Sequence, residues 1–429
     1  MDWGWDNGRA LIGIALIFAL ALAMSERRSA FPWKLVLGAV ALQFAFALIL
    51  FGIPIIRQGL FQANVVVDAL QEATRAGTSF VFGYIGDNTS YATNPTVIPG
   101  DQPPPLFFFQ VLPVVIVVAS LSAILWHWHI LRIVTRGFAF VFRKTMGLSG
   151  ATSLAVSANV FMGMTEAPIL VKPYIKDMSR NELFILMATG LATIAGSVLI
   201  VYVTFLEGTM ANPLAQLLTA SIMAAPASVA LAGVMVPETG ETSKDMKEPE
   251  FEYSSTMDAF ATGASDGLQI VFNIACMLIA ALALLYLANA GLGALPDVNG
   301  EALSIERLLG WLFFPLMYMI GVPFEEASKA GSLMGIKTVL TEFIAFLELG
   351  NTPVEELSDR SRMITAHALC GFANFGSIGI LIGGMSIIEP TRRPSFLELA
   401  WKAVIAGTLA TCLSGAVVGA LPASLFLGS

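Results

Sequence analysis

Long apolar runs determine what this chain can fold into. A helix that crosses a bilayer needs roughly 20 apolar residues, and eight runs approach or reach that length, the first being short and the seventh interrupted. They lie at residues 10–24, 35–56, 106–126, 183–205, 214–236, 268–290, 363–388 and 399–421. We therefore predict an all-α polytopic membrane protein with eight transmembrane helices.

The composition agrees with this class and argues against others. Only 13% of the 429 residues are charged, whereas soluble globular chains carry roughly 25%. The net charge of −8 offers no basic surface for nucleic acid. The three cysteines, Cys276, Cys370 and Cys412, lack the paired spacing of a disulfide framework or a zinc site. We expect a lipid bilayer around the protein, no nucleic-acid partner and no cofactor.

The basic residues between the runs predict the orientation, because Lys and Arg concentrate in cytoplasmic loops. They are frequent in residues 25–34 and 127–182 and recur at Arg392 and Arg393, whereas residues 57–105 contain few. Eight spans with both termini on the periplasmic side of a bacterial inner membrane satisfy this distribution.

Three polar stretches fit no span. Residues 67–83 are amphipathic and are predicted to lie on the outer surface. Residues 131–146 are basic and amphipathic, which is typical of an interfacial helix on the inner side. Residues 237–258 are acidic and are predicted to form a solvated inner loop.

Two further regions are predicted to be re-entrant helical hairpins. Residues 147–175 are interrupted by Gly163 and Pro168, with basic residues near both ends, and residues 306–349 are interrupted at 321–323. Topology puts both ends of the first hairpin inside and both ends of the second outside. Non-helical backbone at membrane depth requires a protein or water-filled environment.

The two halves of the chain also resemble each other. Residues 190–197 resemble residues 371–377, and Thr165-Glu166 resembles Thr341-Glu342. The shared order of hairpin, broken span and span, entering from opposite sides, predicts an inverted repeat. In secondary transporters such repeats place the binding site at their interrupted helices.

Carboxylates at these interruptions point to a substrate or ion pathway, since ionisable groups at membrane depth are costly. Pro168 suits the first turn of a half-helix that starts near Glu166, and such a helix start stabilises a ligand oxygen. The alternative is structural: Glu166 and Glu342 cap helices, and Asn374 and Ser377 only join neighbouring helices.

Four segments are similar to the signature motifs of the concentrative nucleoside transporter family. They are NVFMGMTEAPILVKP at 159–173, ATIAG at 192–196, Gly335-Ile336-Lys337 with Glu342-Phe343, and ALCGFANFGS at 368–377. The resemblance extends from about residue 105 to the C-terminal end. It implies the family's fold, a homotrimer, and cation-coupled nucleoside uptake by an elevator mechanism.

The resemblance also implies individual roles. Nucleobase contacts would come from Met164, Thr165, Glu166 and Val198, ribose contacts from Glu342, Asn374 and Ser377, and an apolar wall from Phe372. Sodium would bind Asn159, Thr193 and the carbonyls of Met162 and Ile194. Many family members have Gln where this chain has Met164; a thioether is only a weak acceptor, which leaves base preference open. Gly376 stands where Ser is common.

The resemblance implies four divisions of the chain. Residues 1–130 would form a scaffold of three spans with the outer amphipathic helix, and residues 131–237 the first half of a transport domain, with the interfacial helix, hairpin 1 and spans four and five. Residues 238–292 would contribute the inner loop and a sixth scaffold span, and residues 293–429 the second half of the transport domain, with hairpin 2 and spans seven and eight. Lys337 lies on the second hairpin, where it could balance a nearby acid.

Three alternatives to a sodium symporter remain. Proton coupling would use a titrating Glu166 or Glu342, since burial can raise a carboxyl pKa. An intramembrane enzyme would use the same two carboxylates as an acid–base pair, but no Ser-His, His-Glu or Asp-dyad spacing supports one. A passive channel would transport without a cation gradient. We expect sodium coupling and no enzymatic activity.

Overall fold

The computed structural model describes residues 3–62, 64–86, 106–240, 253–298, 300 and 302–427, and helices dominate the described part of the chain. The helices of the first part are α1 (Trp5–Ala23), α2 (Trp33–Gly52), α3 (Pro54–Gln62), α4 (Asn64–Phe82), α5 (Val114–His127), α6 (Ile130–Met146), α7 (Gly150–Asn159), α8 (Ala167–Leu170), α9 (Lys172–Ile175), α10 (Arg180–Ala192), α11 (Gly196–Leu206) and α12 (Pro213–Met235). Those of the second part are α13 (Thr256–Leu292), α14 (Ile305–Met319), α15 (Phe324–Val339), α16 (Glu342–Asn351), α17 (Asp359–Leu369), α18 (Phe375–Ile388), α19 (Arg393–Ala420) and α20 (Ser424–Leu427).

Every predicted span coincides with a helix or a broken pair of helices. Seven helical segments of the described residues are long and apolar enough to cross a membrane, and α18 is a shorter apolar helix. The two amphipathic stretches are also helical: residues 67–82 belong to α4 and residues 131–146 to α6. The predicted fold class is therefore confirmed.

The sixth span is longer than its apolar run. We predicted residues 268–290, preceded by a loop that reached residue 258, but α13 begins at Thr256. Ser255 caps this helix, because its side chain accepts a hydrogen bond from the backbone N–H of Asp258 at 3.1 Å. Hydrophobicity alone missed a polar first stretch that is helical because it is capped. Residues 241–252 of the predicted loop lie outside the described residues.

The second predicted hairpin contains two breaks rather than one. The turn at 321–323 separates α14 from α15, and Gly321 suits it because its φ of +111° lies outside the region that side chains favour. A second break at Leu340 and Thr341 separates α15 from α16. There Thr341 is extended, and its hydroxyl accepts from the backbone N–H of Ile344 at 3.3 Å, so a new helix starts at Glu342.

The first hairpin region, residues 147–175, is interrupted as expected. Helix α7 ends at Asn159, an irregular segment follows, and α8 begins at Ala167 with Pro168 in its first turn. Pro168 therefore starts a helix rather than breaking one, and a further irregularity at Val171 separates α8 from α9.

Both broken spans are observed, and their breaks touch each other. Residues 193–195 separate α10 from α11, and residues 370–374 separate α17 from α18. A Cβ atom on Gly371 would lie 2.6 Å from the carbonyl oxygen of Ala192, so the second break can pack this closely on the end of α10 only because residue 371 has no side chain.

Burial differs widely among the long apolar helices. In the most apolar stretches of α10–α11, α12 and α19, 94% of the residues are buried, compared with 6% in α13. The break between α10 and α11 thus lies in the most enclosed part of the described structure, whereas α13 leaves most of its apolar surface uncovered.

Candidate functional site

The carboxylate of Glu342 is held by two hydrogen bonds at the start of α16. The hydroxyl of Tyr202 on α11 donates to Oε1 at 2.9 Å, and Nδ2 of Asn374 donates to Oε2 at 2.8 Å. All three side chains are buried. Hydrogen bonds to a charged group are the stronger ones, so this carboxylate joins α11, α16 and the break before α18.

Asn374 also caps the N-terminal end of α18. Its Oδ1 accepts from the backbone N–H of Ser377 at 2.8 Å, while its amide donates to Glu342. One side chain therefore fixes both the start of α18 and the orientation of the carboxylate. The structural alternative predicted for Asn374, a polar link between neighbouring helices, is thus observed together with a capping contact.

Glu166 is held much less firmly. Its Oε2 accepts from the backbone N–H of Gly163 at 3.1 Å, within the turn that precedes α8. The side chain is partly buried. Thr165, directly before it, packs against α18, where a Cβ on Gly384 would lie 2.7 Å from its methyl group.

One cavity of about 200 Å³ brings the predicted substrate residues together. All eight line it, from the first half Met164, Thr165, Glu166 and Val198, and from the second half Glu342, Phe372, Asn374 and Ser377. The first hairpin tip (residues 160–166), the start of α16 and the breaks of the two spans at 193–195 and 370–374 thus all border one space. Mostly apolar walls with a few polar groups are typical of small-molecule sites.

Sequence reasoning missed two parts of this lining. Tyr202 contacts Glu342 and also stacks on Phe346, with ring centroids 4.6 Å apart. The signal was available, since a tyrosine one turn after Val198 is the polar member of an apolar run. The other part is α13, which contributes Asn273 and apolar neighbours. Nothing in the apolar sequence at 268–290 indicated that this helix faces the site.

A second cavity of about 120 Å³ lies on the other side of the first hairpin tip. Glu166 lines both cavities, and Asp266 of α13 and Tyr253 line the second. Glu166 therefore separates two spaces, whereas Glu342 lines only the first.

The four predicted cation ligands lie at two neighbouring interruptions: Asn159 and Met162 at the end of α7 and in the turn after it, and Thr193 and Ile194 in the break between α10 and α11. Asn159 is fully buried, and neither its Oδ1 nor its Nδ2 has a hydrogen-bond partner. It packs against α10, because a Cβ on Gly190 would lie 3.7 Å from Oδ1. The backbone N–H of Gly196 donates to the carbonyl of Phe161 at 3.0 Å, which joins the tip to the break that holds Thr193 and Ile194. Met162 follows Phe161 on that tip and lines the second cavity.

This arrangement suits a cation with neutral oxygen ligands. The hydroxyl of Thr193 donates to the carbonyl of Thr189 at 2.9 Å, so its own lone pairs remain able to accept. A buried amide without a partner normally costs free energy, and a bound cation near Asn159 Oδ1 would relieve that cost. Hard cations prefer such oxygen ligands.

Comparison with known proteins agrees with this geometry. The family described as Na+ dependent nucleoside transporter matches through its N-terminal part at residues 12–85 and its C-terminal part at 216–419, and a nucleoside recognition (Gate) family matches at 108–209. The nucleoside permease of Helicobacter pylori is 32% identical over 98% of this chain and 97% of its own length. The chain belongs to the concentrative nucleoside transporter family. The members of this family are membrane transporters rather than enzymes.

Solved structures of this family share the fold over nearly the whole chain. CNTnw in an inward-facing, substrate-bound state is 36% identical, with a TM-score of 0.87 over 98% of this chain and 99% of that one. A CNTnw variant in an outward-facing state gives 36% identity and a TM-score of 0.88 over 97% of both chains. The broken spans and interrupted hairpin regions of this chain therefore occur on the fold of a nucleoside transporter family.

Proposed function

We propose that this protein is a sodium-coupled symporter that takes up nucleosides across a bacterial inner membrane. The observation that carries the proposal is the convergence of all eight predicted substrate residues on one cavity around a hydrogen-bonded, buried carboxylate. Its family membership supports nucleosides as the substrate and sodium as the coupling ion.

The ribose would bind at Glu342. Each carboxylate oxygen accepts one protein hydrogen bond and has further lone-pair capacity. Two neighbouring sugar hydroxyls could therefore donate one bond to each oxygen without displacing Tyr202 or Asn374. Ser377, which lines the same space, offers a hydroxyl next to them.

The base would bind at the first hairpin tip. Thr165 and Glu166 supply polar groups there, and Met164, Val198 and Phe372 supply apolar surface. Because Met164 cannot donate a hydrogen bond, base selection would rest on Thr165 and Glu166.

Sodium would bind Asn159, Thr193 and the carbonyls of Met162 and Ile194. The partnerless amide of Asn159 supports this. The Gly196–Phe161 hydrogen bond supports it as well, since it holds the tip and the break at a fixed distance. A cation placed here would order Met164 to Glu166, which follow on the same tip, and would so couple sodium to nucleoside binding.

Transport would follow an elevator-type alternating access in which two re-entrant hairpins and the broken spans move as one unit. Residues 131–237 and 293–429 would form this unit, and residues 1–130 and 238–292 the scaffold. The uncovered apolar surface of α13 supports a homotrimer, since that surface needs lipid or another copy against it. The basic loops support periplasmic termini.

The test is uptake of radiolabelled uridine and adenosine into proteoliposomes with separate inward gradients of Na⁺ and H⁺. We expect concentrative uptake driven by Na⁺ alone, with the uridine-to-adenosine ratio reporting the effect of Met164. Met164→Gln should change that ratio and leave the sodium dependence intact. Uptake driven only by H⁺ would replace the sodium assignment by proton coupling, and uptake without any gradient would indicate a channel. If correctly folded protein takes up neither nucleoside under any gradient, the assignment of nucleosides as the substrate would be refuted.

A further inference from the structure

The second half of the site contains a fully buried lysine that the mechanism above does not use. Nζ of Lys337 donates to the hydroxyl of Thr411 at 3.0 Å and to the carbonyl of Ala368 at 3.3 Å. Ala368 lies in the last turn of α17, whose carbonyls lack partners within the helix. The ammonium group thus lies where a helix end is most negative.

This position corresponds to the cation site of the first half. Lys337 lies in the last turn of α15, shortly before the break that precedes Glu342, and Asn159 lies at the end of α7, before the tip that precedes Glu166. Each faces the carboxyl end of a broken span: α17 for Lys337 and α10 for Asn159. Under the internal repeat, the two residues occupy equivalent places.

The charges of the two halves differ in the same way. Lys337 and Glu342 are both buried and lie five residues apart on the second hairpin, so the second half contains both signs of charge. Residues 131–237, all described by the structure, contain no buried Lys or Arg. Glu166 therefore has no buried cation of its own half, and the first half needs an ion from outside where the second does not.

We propose that Lys337 supplies the second half with a permanent, covalently attached cation at the place equivalent to the sodium site of the first half. Its ammonium group offsets the charge of Glu342 and holds the carboxyl end of α17, which positions the break that leads to Asn374. One half then binds its cation reversibly and the other does not, so one coupling ion accompanies each nucleoside. This rests on the proposed sodium and nucleoside sites.

Three substitutions test the role through uridine binding to purified protein as Na⁺ is varied. Lys337→Met keeps the length but removes the charge, and should weaken uridine binding at saturating Na⁺ by at least about tenfold. Lys337→Ser should free the Ala368 and Thr411 oxygens for a second Na⁺, so that the Hill coefficient for Na⁺ rises from about one toward about two. Lys337→Arg keeps the charge and should retain more uridine affinity than Lys337→Met does.

The matched control is Lys329→Met, on the same helix but paired with Glu356 at a more exposed place; it should leave uridine affinity and the Hill coefficient unchanged. Unchanged uridine affinity in Lys337→Met, or an unchanged Hill coefficient in Lys337→Ser, would overturn the proposal. A purely structural lysine would not change the Hill coefficient.

A stability measurement covers the case in which these variants do not fold well enough to bind. If Lys337 offsets Glu342, the double variant Lys337→Met/Glu342→Gln should have a higher Tm than Lys337→Met, because it no longer contains a buried carboxylate without a countercharge. A double variant no more stable than Lys337→Met would refute the charge role. This comparison needs no nucleoside, so it remains informative even if wild-type protein binds no uridine and the proposed function fails.

Discussion

The two carboxylates of the site follow the same Thr-Glu sequence but lie in different environments. Glu342 is buried and accepts hydrogen bonds from Tyr202 and Asn374. Glu166 accepts one from the backbone of its own turn, and it borders two cavities. The second half of the site is therefore preorganised by its own hydrogen bonds, whereas the first half has unused polar groups.

The difference suggests a division of work between the halves. Preorganised donors and acceptors bind a ligand at low ordering cost, which suits the ribose end that all nucleosides share. The first hairpin tip follows Asn159, whose side-chain amide has no hydrogen-bond partner. A bound cation could order this tip, so we expect its conformation to respond to sodium. We infer that the first half senses the ion and the base, and that the second half provides a fixed anchor.

The largest expected effect comes from removing the charge of that anchor. Glu342→Gln keeps the shape but weakens the bonds that the carboxylate accepts. With about 1.5 kcal/mol lost for each of two sugar hydroxyls, uridine uptake should fall by about 100-fold or more. The measurement is initial uptake in proteoliposomes, alongside Tm as a test of folding.

The control for this substitution is Glu348→Gln, an exposed position on the same helix α16. It should transport like the wild type. If Glu342→Gln also transports normally, the anchor lies elsewhere and the comparison between the halves fails.

The next effect concerns the responsive half. Asn159→Ala removes one proposed sodium ligand, and the Na⁺ concentration for half-maximal uptake should rise about tenfold, with a smaller change in the uridine KM at saturating Na⁺. Ser157→Ala is the control, because Ser157 lies in the same turn of α7 and its hydroxyl donates to the carbonyl of Ser153 rather than facing the proposed cation site. An unchanged Na⁺ titration in Asn159→Ala would move the cation site away from this tip.

A smaller effect is expected from Tyr202→Phe, which removes one donor to Glu342. The ring can keep its stacking on Phe346, and Asn374 still holds the other carboxylate oxygen. Loss of one hydrogen bond to a charged group should raise the uridine KM by about tenfold without altering the Na⁺ titration. A change in the Na⁺ titration instead would show that the anchor and the ion site are not separate.

Much of this site was predictable because its residues are polar in apolar surroundings. Glu166, Glu342 and Asn374 could be recognised from their cost in a membrane, and the fold class from the lengths of the apolar runs. The second break before Glu342 was missed because Leu340 and Thr341 carry no strong helix-breaking signal, and only the Thr341 cap reveals it.

Other features depend on packing that a pattern does not contain. Asn273 looks like any polar residue in a span, and its place in the cavity follows from where α13 crosses the hairpins. Lys337 could be placed on the second hairpin, but its contacts with Ala368 and Thr411 join residues far apart in the chain. Such pairings require the three-dimensional arrangement.

The smallest effect tests how far the two halves depend on contacts outside the site. Glu26, in the loop after α1, accepts hydrogen bonds from Arg180 at 2.9 Å and from Lys402 at 2.7 Å. Arg180 begins α10 and Lys402 belongs to α19. This ionic cluster therefore joins the broken span of the first half to the last span of the second.

The hydrogen bond from Arg180 lowers the pKa of Glu26 from its ordinary 4.5 to about 2. A lowered carboxyl pKa means that its stabilisation is present above the ordinary value and is lost as pH falls toward 2. Since these ion pairs are partly exposed and screened by solvent, the contribution should be at most about 1 kcal/mol. The Tm difference between wild type and Glu26→Gln should thus be small near neutral pH and should shrink as the pH is lowered below 4.5. A difference that stays constant across that range would mean that Glu26 acts through packing rather than through its charge.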